Sequence, residues 1–101
     1  MLTPPTVAVI GGGQLARMMQ ESAIALGINL RALVEADDGS TGQVTVDKAV
    51  GAPSDLDAVR ALIDGADVLT FEHEHIPAAT MDEAARVVSV QPPASALLYA
   101  Q

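Results

Sequence analysis

Two hydrophobic patterns alternate along this chain. Short apolar runs rich in β-branched residues are typical of strands that are buried on both faces of a parallel sheet. Val7–Ile10 is such a run. Further strands are predicted at Asn29–Glu35, Asp67–Phe71 and Val87–Val90, with a very short one at Lys48–Val50. Between them, apolar residues recur every three or four positions, which is typical of amphipathic helices. The chain is therefore predicted to alternate strands with helices.

The first predicted helix begins at Gln14 and ends near Gly27, because a glycine after a periodic run commonly ends a helix. The spacing of its apolar positions predicts one buried face, made of Leu15, Met18, Met19, Ser22 and Leu26. Both methionines are therefore expected in the core.

Two further helices are predicted from capping and stop signals. Ser54 and Asp55 are candidate N-caps of a helix that ends at Gly65. Its apolar positions are Leu56, Val59, Leu62 and Ile63. A third helix is predicted from Pro77, which suits a first turn, to about Arg86.

Strands that alternate with helices over short connections form parallel sheets with right-handed crossovers. We therefore predict one domain over residues 1–101, a Rossmann-like α/β fold in which an open parallel sheet carries helices on both faces. The first strand is expected in the middle of the sheet. The glycine turn after Ile10 and the segment after Phe71 then both leave from the carboxyl edge, where open parallel sheets bind ligands.

Charge and composition narrow the classes of function. With 13 acidic and 5 basic residues the chain has a formal net charge of −8, which repels phosphate backbones and argues against nucleic acid as a partner. Cysteine is absent, so disulfides, thiolate zinc sites and cysteine nucleophiles are excluded. No apolar run approaches the ~20 residues of a membrane span, and residues 1–5 are too short for a secretory signal. We expect a cytoplasmic protein with no membrane partner.

The segment Gly11–Leu15 carries the first candidate chemistry. A strand, a glycine turn and a helix start point backbone N–H groups and the positive end of the helix dipole at an anion, which predicts a phosphate-bearing small molecule there. Gln14 adds an amide side chain that both donates and accepts hydrogen bonds. The simpler interpretation is that the glycines only allow a tight turn. Arg17 either reaches a carboxylate or ligand anion, or is solvated.

The same segment loosely fits a dinucleotide site. Gly11, Gly13 and Ala16 occupy the positions of G-x-G-x-x-G/A, and Glu35 lies about 20 residues further on, where a ribose-binding acid is expected. An NAD(P)-binding Rossmann domain of an oxidoreductase is therefore the alternative interpretation. It requires Glu35 at the tip of the second strand.

Both histidines of the chain alternate with two glutamates in the segment Glu72–His75. Glutamate and imidazole together suggest a metal site. In an extended backbone, however, the glutamates point to one side and the histidines to the other, and the chain offers no obvious further ligands. A carboxylate facing a bound sugar or amino group is the preferred interpretation, with capping of the next helix as the alternative.

Three segments in order resemble one known family. GGGQLARMM at 11–19, TFEHEHIP at 70–77 and VQPPASALLYAQ at 90–101 are similar to the amino-terminal, pre-ATP-grasp domain of the N5-carboxyaminoimidazole ribonucleotide synthetases. These are ATP-grasp carboxylate–amine ligases of de novo purine biosynthesis. The chain departs from the family pattern at Ala16, where glycine is common, and at His73 and His75, which replace Phe and Asn.

The resemblance implies a role in holding 5-aminoimidazole ribonucleotide, with the 5′-phosphate over the glycine turn and Glu74 facing the ribose or the aminoimidazole. The substrate-binding residues it implies are Gly12, Gly13, Gln14, Leu15, Glu72 and Glu74. It implies no catalytic residue and no metal ligand within this chain. In this interpretation Gln14 and Glu74 converge across the crevice.

The resemblance also implies further domains, because the family enzyme is several times longer. ATP and Mg²⁺ would bind beyond Gln101, in the ATP-grasp domain that the tail leads into, and this chain alone would bind neither cofactor. Bicarbonate would be the second substrate, and a homodimer is a further expectation. The 101-residue chain is expected to be inactive by itself and to expose apolar surface that favours self-association.

Overall fold

The computed structural model describes residues 4–11, 13–35, 45, 47–71, 76–92 and 96. The strands are β1 (Thr6–Ile10), β2 (Asn29–Val34), β3 (Asp47–Val50), β4 (Val68–Phe71) and β5 (Ser89–Val90), and the helices are α1 (Gln14–Leu26), α2 (Leu56–Ile63) and α3 (Ala78–Ala85). Every strand and helix predicted from the pattern is present, and the ends agree within two residues.

The five strands form one parallel sheet in the order β3-β2-β1-β4-β5. The central position predicted for β1 is therefore confirmed. Its residues 7–10 are fully buried or nearly so, because β1 has a strand on each side and a helical layer on each face. Continuous apolar strands are expected at such positions.

Side chains of alternating strand residues pack into two separate cores, one on each face of the sheet. The first core joins the sheet to α1 through Val7, Val9, Leu30, Val34, Val68, Ala16, Met19 and Ala23. The second joins the sheet to α2 and α3 through Ala8, Ile10, Leu33, Leu69, Val59, Leu62, Ile63 and Ala84. Helices on both faces of a parallel sheet confirm the predicted Rossmann-like α/β fold.

The predicted buried face of α1 is only partly correct: Met19 lies in the core as predicted, but three other residues of that face do not. Met18 and Leu26 are 53% and 48% exposed, and Ser22 is also exposed. The buried stripe instead follows Ala16, Met19 and Ala23. Because alanine is small, Ala16 and Ala23 allow the helix to pack closely on the sheet. The larger apolar residues of the predicted face lie about one position away from this buried stripe, which is roughly 100° around the helix.

The ends of α1 and α2 follow from their local sequences. Gly27 ends α1 in the left-handed conformation, with φ of 70°, and its N–H donates to the last turn, as glycine commonly does at this position. Asp55 is the N-cap of α2 and its carboxylate accepts a hydrogen bond from the N–H of Ala58 at 3.2 Å. The prediction of a helix start at Asp55 is therefore confirmed.

The boundaries of α3 and β5 differ from the predicted ones. Pro77 is the N-cap of α3 and not a first-turn residue, and its carbonyl accepts hydrogen bonds from Thr80 and Met81. Val87 lies outside β5 and is 72% exposed, because it belongs to the turn that follows α3. An apolar residue in a turn therefore extended the predicted strand beyond its real start.

Within the described residues, no helix has the length and apolar character needed to cross a membrane.

Candidate functional site

Both candidate segments begin at the carboxyl edge of the sheet. Ile10 ends β1, Phe71 ends β4, and these two residues are register partners in the parallel pair. The glycine turn follows Ile10, and the acidic segment Glu72–His75 follows Phe71 in the sequence. Both segments therefore start from neighbouring strand ends at one edge, as the predicted topology requires. This is the edge at which open parallel sheets bind ligands.

The glycine turn lies between the end of β1 at Ile10 and the start of α1 at Gln14. Gly11 is buried and has φ of 142°, a conformation that residues with a side chain rarely adopt. Its N–H donates to the carbonyl of Leu33 at 3.0 Å, which extends the pairing of β1 with β2. A glycine is therefore required at this position by the backbone, as the simpler interpretation of the turn states.

The start of α1 has the electrostatics of an anion site. Gly13 is the N-cap, has an extended backbone and supplies no side chain for a capping bond. Its carbonyl accepts the first hydrogen bond of the helix, from the N–H of Arg17 at 3.1 Å. No acidic residue stands in the first turn, so no carboxylate of that turn offsets the positive end of the dipole, which amounts to roughly half an elementary charge.

The structure describes only part of the predicted substrate site. Gly13 is half-buried and Gln14 is exposed at the start of α1, so both stand at the mouth of the turn. Leu15 lies in the first turn of α1, but its side chain is outside the described ones. Gly12, Glu72 and Glu74 also lie outside the described residues, and the predicted convergence of Gln14 with Glu74 therefore stays a prediction.

Thr70 also lies in this region, as the first residue of the segment TFEHEHIP at 70–77, and by itself a threonine in an apolar strand is an ordinary β-branched strand residue. It lies in β4 with 0% exposure, and its hydroxyl has no hydrogen-bond partner among the described residues. The hydroxyl of Thr45, which is 2% exposed, also has no hydrogen-bond partner among the described residues. A buried hydroxyl without a partner costs about 1–3 kcal/mol of stability.

Glu35, the residue that the dinucleotide interpretation requires at the tip of the second strand, lies among the described residues. Glu35 directly follows β2 and is exposed, so it stands at the strand tip where a ribose-binding acid would stand. Geometry alone therefore leaves that alternative open. As for metals, no three His, Asp or Glu side chains of the described part of the chain stand close enough to hold an ion, and both histidines lie outside that part.

Comparison with protein families gives one match that covers most of the chain. Residues 5–101 match the ribonucleotide synthetase pre-ATP-grasp domain. A curated relative from Mycobacterium bovis, N5-carboxyaminoimidazole ribonucleotide synthase, is 50% identical over 98 residues, which are 96% of this chain and 23% of the relative. The chain therefore spans about a quarter of the length of the curated relative that it matches.

Solved structures with the same fold bear similar names. The N5-carboxyaminoimidazole ribonucleotide synthetase of Thermus thermophilus superposes with a TM-score of 0.78 and 32% identity, over 94% of this chain and 26% of that one. The synthase of Aspergillus clavatus in complex with ADP and 5-aminoimidazole ribonucleotide superposes with a TM-score of 0.79 and 36% identity, over 91% of this chain and 25% of that one. The chain belongs to the ribonucleotide synthetase pre-ATP-grasp domain family.

Proposed function

We propose that this chain holds the nucleotide substrate in an N5-carboxyaminoimidazole ribonucleotide synthase, a carboxylate–amine ligase of the ATP-grasp type in de novo purine biosynthesis. The observation that carries the proposal is the pairing of Ile10 with Phe71, which starts the glycine turn and the acidic segment from adjacent points of the ligand-binding edge. The similarity to named synthases over 96% of the chain supports it. The oxidoreductase alternative has no counterpart among these relatives.

In the proposed reaction, ATP phosphorylates bicarbonate to give carboxyphosphate and ADP. The exocyclic amine of 5-aminoimidazole ribonucleotide then attacks the carboxyl carbon, either of carboxyphosphate or of the CO₂ that it releases. A new N–C bond forms, inorganic phosphate leaves, and the amine loses a proton. We assign no chemical step to a residue of this chain.

The proposed contribution of this chain is binding. Gly12, Gly13, Gln14 and Leu15 hold the 5′-phosphate at the start of α1, where the backbone N–H groups and the dipole favour an anion. Glu74 faces the ribose or the amino group of the aminoimidazole, with Glu72 beside it in the sequence. A half-site that shares its ligand with other domains binds weakly by itself.

We place the ATP and Mg²⁺ sites outside these 101 residues, in the part of the relatives' length that this chain does not span. Bicarbonate as the second substrate, a cytoplasmic location and a homodimer complete the proposal. A polypeptide of residues 1–101 is accordingly expected to show no carboxylation activity.

Carboxylation by the native-length gene product tests the proposal. Its ADP release is measured with 5-aminoimidazole ribonucleotide, ATP and bicarbonate, and is expected to depend on all three. Replacing Glu74 by Gln removes a charged hydrogen-bond acceptor worth about 1.5–3 kcal/mol. That loss corresponds to a KM for the nucleotide raised about 10- to 150-fold.

Glu35→Gln is the matched control, because it makes the same change at the acid that only the dinucleotide interpretation uses. Its KM for the nucleotide is expected to equal that of the wild type. ADP release without any requirement for the nucleotide would contradict the proposal. Binding of NAD(P)H that is lost in the Glu35 variant would establish the oxidoreductase alternative instead.

A further inference from the structure

The inference concerns a row of side chains on α1 and rests on the proposed function, which places the rest of the synthase after residue 101. Met18, Ser22 and Leu26 are spaced by four residues, so they form one row along the helix surface. All three are exposed, Met18 at 53% and Leu26 at 48%. This α1 row therefore presents two large apolar side chains with a small one between them.

The α1 row runs beside the stripe of the helix that packs on the sheet, which is formed by Ala16, Met19 and Ala23. At 100° per residue, Leu26 lies about 50° and Met18 about 130° from the centre of that stripe. Ile24, which is 71% exposed, lies about 110° from the centre in the opposite direction. The row and Ile24 are therefore on opposite flanks of α1.

A surface cavity shows which flank faces which part of the sheet. Ile24 lines this cavity together with Leu30 of β2 and Asp47 of β3, so its flank faces the end of the sheet at which β3 lies. The strand order is β3-β2-β1-β4-β5. The α1 row, on the other flank, therefore faces the side of β4 and β5.

The chain crosses to the α1 face of the sheet after β5. The N–H of Gln91 still donates to the carbonyl of Leu69 in β4 at 2.9 Å. Ala96 is then fully buried in the core that α1 forms with the sheet, and its N–H donates to the carbonyl of Pro92 at 3.0 Å. Residue 101 is five residues further on, at most about 18 Å along an extended chain. Whatever follows it starts close to the α1 face.

Two observations favour a segment of the same polypeptide over a second copy as the occupant of the row. Among the helices of the described residues, only α1 exposes large apolar side chains, so this excess lies on the face to which the chain crosses. The net charge of −8 makes separate copies repel one another. A covalently joined segment, by contrast, has a high effective concentration beside the row.

We propose that the α1 row is the docking surface for an apolar segment of the polypeptide that follows Gln101 in the native-length gene product. A side chain of that segment fits over Ser22, between Met18 and Leu26, as ridges fit into grooves when helices pack. Because α1 begins at the glycine turn, the same contact fixes the orientation of the proposed phosphate site relative to the rest of the enzyme. Ile24 stays in contact with water.

Hydroxyl-radical footprinting of the native-length gene product, read by mass spectrometry, tests this docking. Oxidation of each side chain is compared with that in the urea-unfolded protein. Protection of Met18 and Leu26 is expected to exceed that of Ile24 several-fold, well beyond the difference in their exposed fractions, and to be the same at every protein concentration. Equal protection of the three residues would overturn the proposal. Protection of the row that disappears on dilution would overturn it as well, because a second copy would then be the occupant.

A matched pair of lysine variants supplies the second measurement. Leu26→Lys in the native-length gene product places a charge under the docked segment and is expected to lower the Tm by at least about 2 °C. Ile24→Lys, two positions away on the other flank, is expected to change the Tm by less than about 1 °C. Leu26→Met keeps the site apolar and is expected to retain the wild-type Tm. Equal Tm changes in the two lysine variants would contradict docking on the row.

Neither measurement uses catalysis, so docking and the proposed function fail separately. A native-length gene product that protects the row but does not carboxylate the nucleotide would refute the proposed function and leave the docking surface in place. One that carboxylates the nucleotide while Met18 and Leu26 are oxidised as readily as Ile24 would refute the docking surface alone.

Discussion

At the scale of single residues, Gly27 and Gly51 are both required, but for different physical reasons. Gly27 has φ of +70° and open space where a Cβ would stand. A Cβ on Gly51 would lie 3.1 Å from Cδ1 of Leu33 and 3.2 Å from Cβ of Ala58. The backbone conformation therefore restricts the first position, and close packing of α2 on the sheet restricts the second.

Asparagine distinguishes these two restrictions, because it tolerates the left-handed conformation better than alanine but is larger. We expect Gly27→Ala to lower the free energy of unfolding by about 1–2 kcal/mol and Gly27→Asn to lower it less. Gly51→Ala is expected to lower it by about 1–3 kcal/mol, and Gly51→Asn to lower it more. Urea denaturation measures all four, and the same rank order of Ala and Asn at both positions would contradict this assignment.

At the scale of elements, Arg31 connects two strands with the end of a helix. Its Nη1 donates to the carbonyls of Leu62 and Asp64, at 3.0 and 2.7 Å, which are orphan acceptors at the carboxyl end of α2. Its Nε donates to the carboxylate of Asp47 in β3 at 3.1 Å. The cation also stands at the negative end of the helix dipole. The single side chain of Arg31 thus connects the end of α2 with β2.

Arg31→Met keeps most of the aliphatic stem and removes every donor. Loss of the two carbonyl bonds is expected to lower the free energy of unfolding by about 1–3 kcal/mol. Asp47→Ala removes only an ion pair whose carboxylate is 58% exposed, and is expected to cost less than about 1 kcal/mol. Urea denaturation measures both losses. If the two variants lose equal free energy, the ion pair and not the carbonyl bonds stabilises α2. The same conclusion follows if the loss in the methionine variant disappears in 1 M NaCl, because salt screens an ion pair.

At the scale of the whole molecule, α1 leaves several apolar side chains exposed. Met18, Ile24 and Leu26 are 53%, 71% and 48% exposed, which follows from the close approach of its alanines to the sheet. The chain also has a formal net charge of −8, so copies repel one another at low ionic strength. Apolar attraction and charge repulsion therefore oppose each other on this surface.

A polypeptide of these 101 residues is expected to self-associate. Its weight-average mass, measured by sedimentation equilibrium, is expected to rise with protein concentration. Added NaCl is expected to raise it further, because salt screens the repulsion between copies. Ile24→Lys replaces the most exposed of these three apolar side chains by a charged one and is expected to weaken the self-association. A wild-type polypeptide that stays monomeric at all salt concentrations would show that the exposed residues of α1 do not associate.

The sequence predicts this fold well because its strand and helix signals are local. The apolar runs, the cap at Asp55 and the stop at Gly27 each act within a few neighbours, and alternation of strand with helix then leaves few topologies. The spacing of large apolar residues does not predict the buried stripe of α1, because that stripe contains the small residues Ala16 and Ala23 beside Met19. The bonds of Arg31 to α2 span up to 33 residues, and no spacing rule reaches that far.

The candidate site is less predictable than the fold. The glycine motif predicts the roles of Gly11 and Gly13, and the alternation of strands with helices predicts that the turn lies at the carboxyl edge. The location of the candidate site therefore follows from the sequence. The hydroxyl of Thr70 does not, because its lack of a partner depends on what surrounds it in three dimensions. Contacts of Gln14 and Glu74 with a substrate stay predictions.

The central position of β1 has a consequence for the synthesis of the chain. The ribosome completes β1, β2 and β3 long before β4, and the bond from the N–H of Thr6 to the carboxylate of Asp67 spans 61 residues. During that interval one edge of β1 lacks its neighbour, and an apolar strand with an open edge is a template for wrong pairing. The edge of β1 that pairs with β4 therefore stays open until residues 68–71 have been made. The strand that leads into the glycine turn thus completes its pairing only when the later part of the chain arrives.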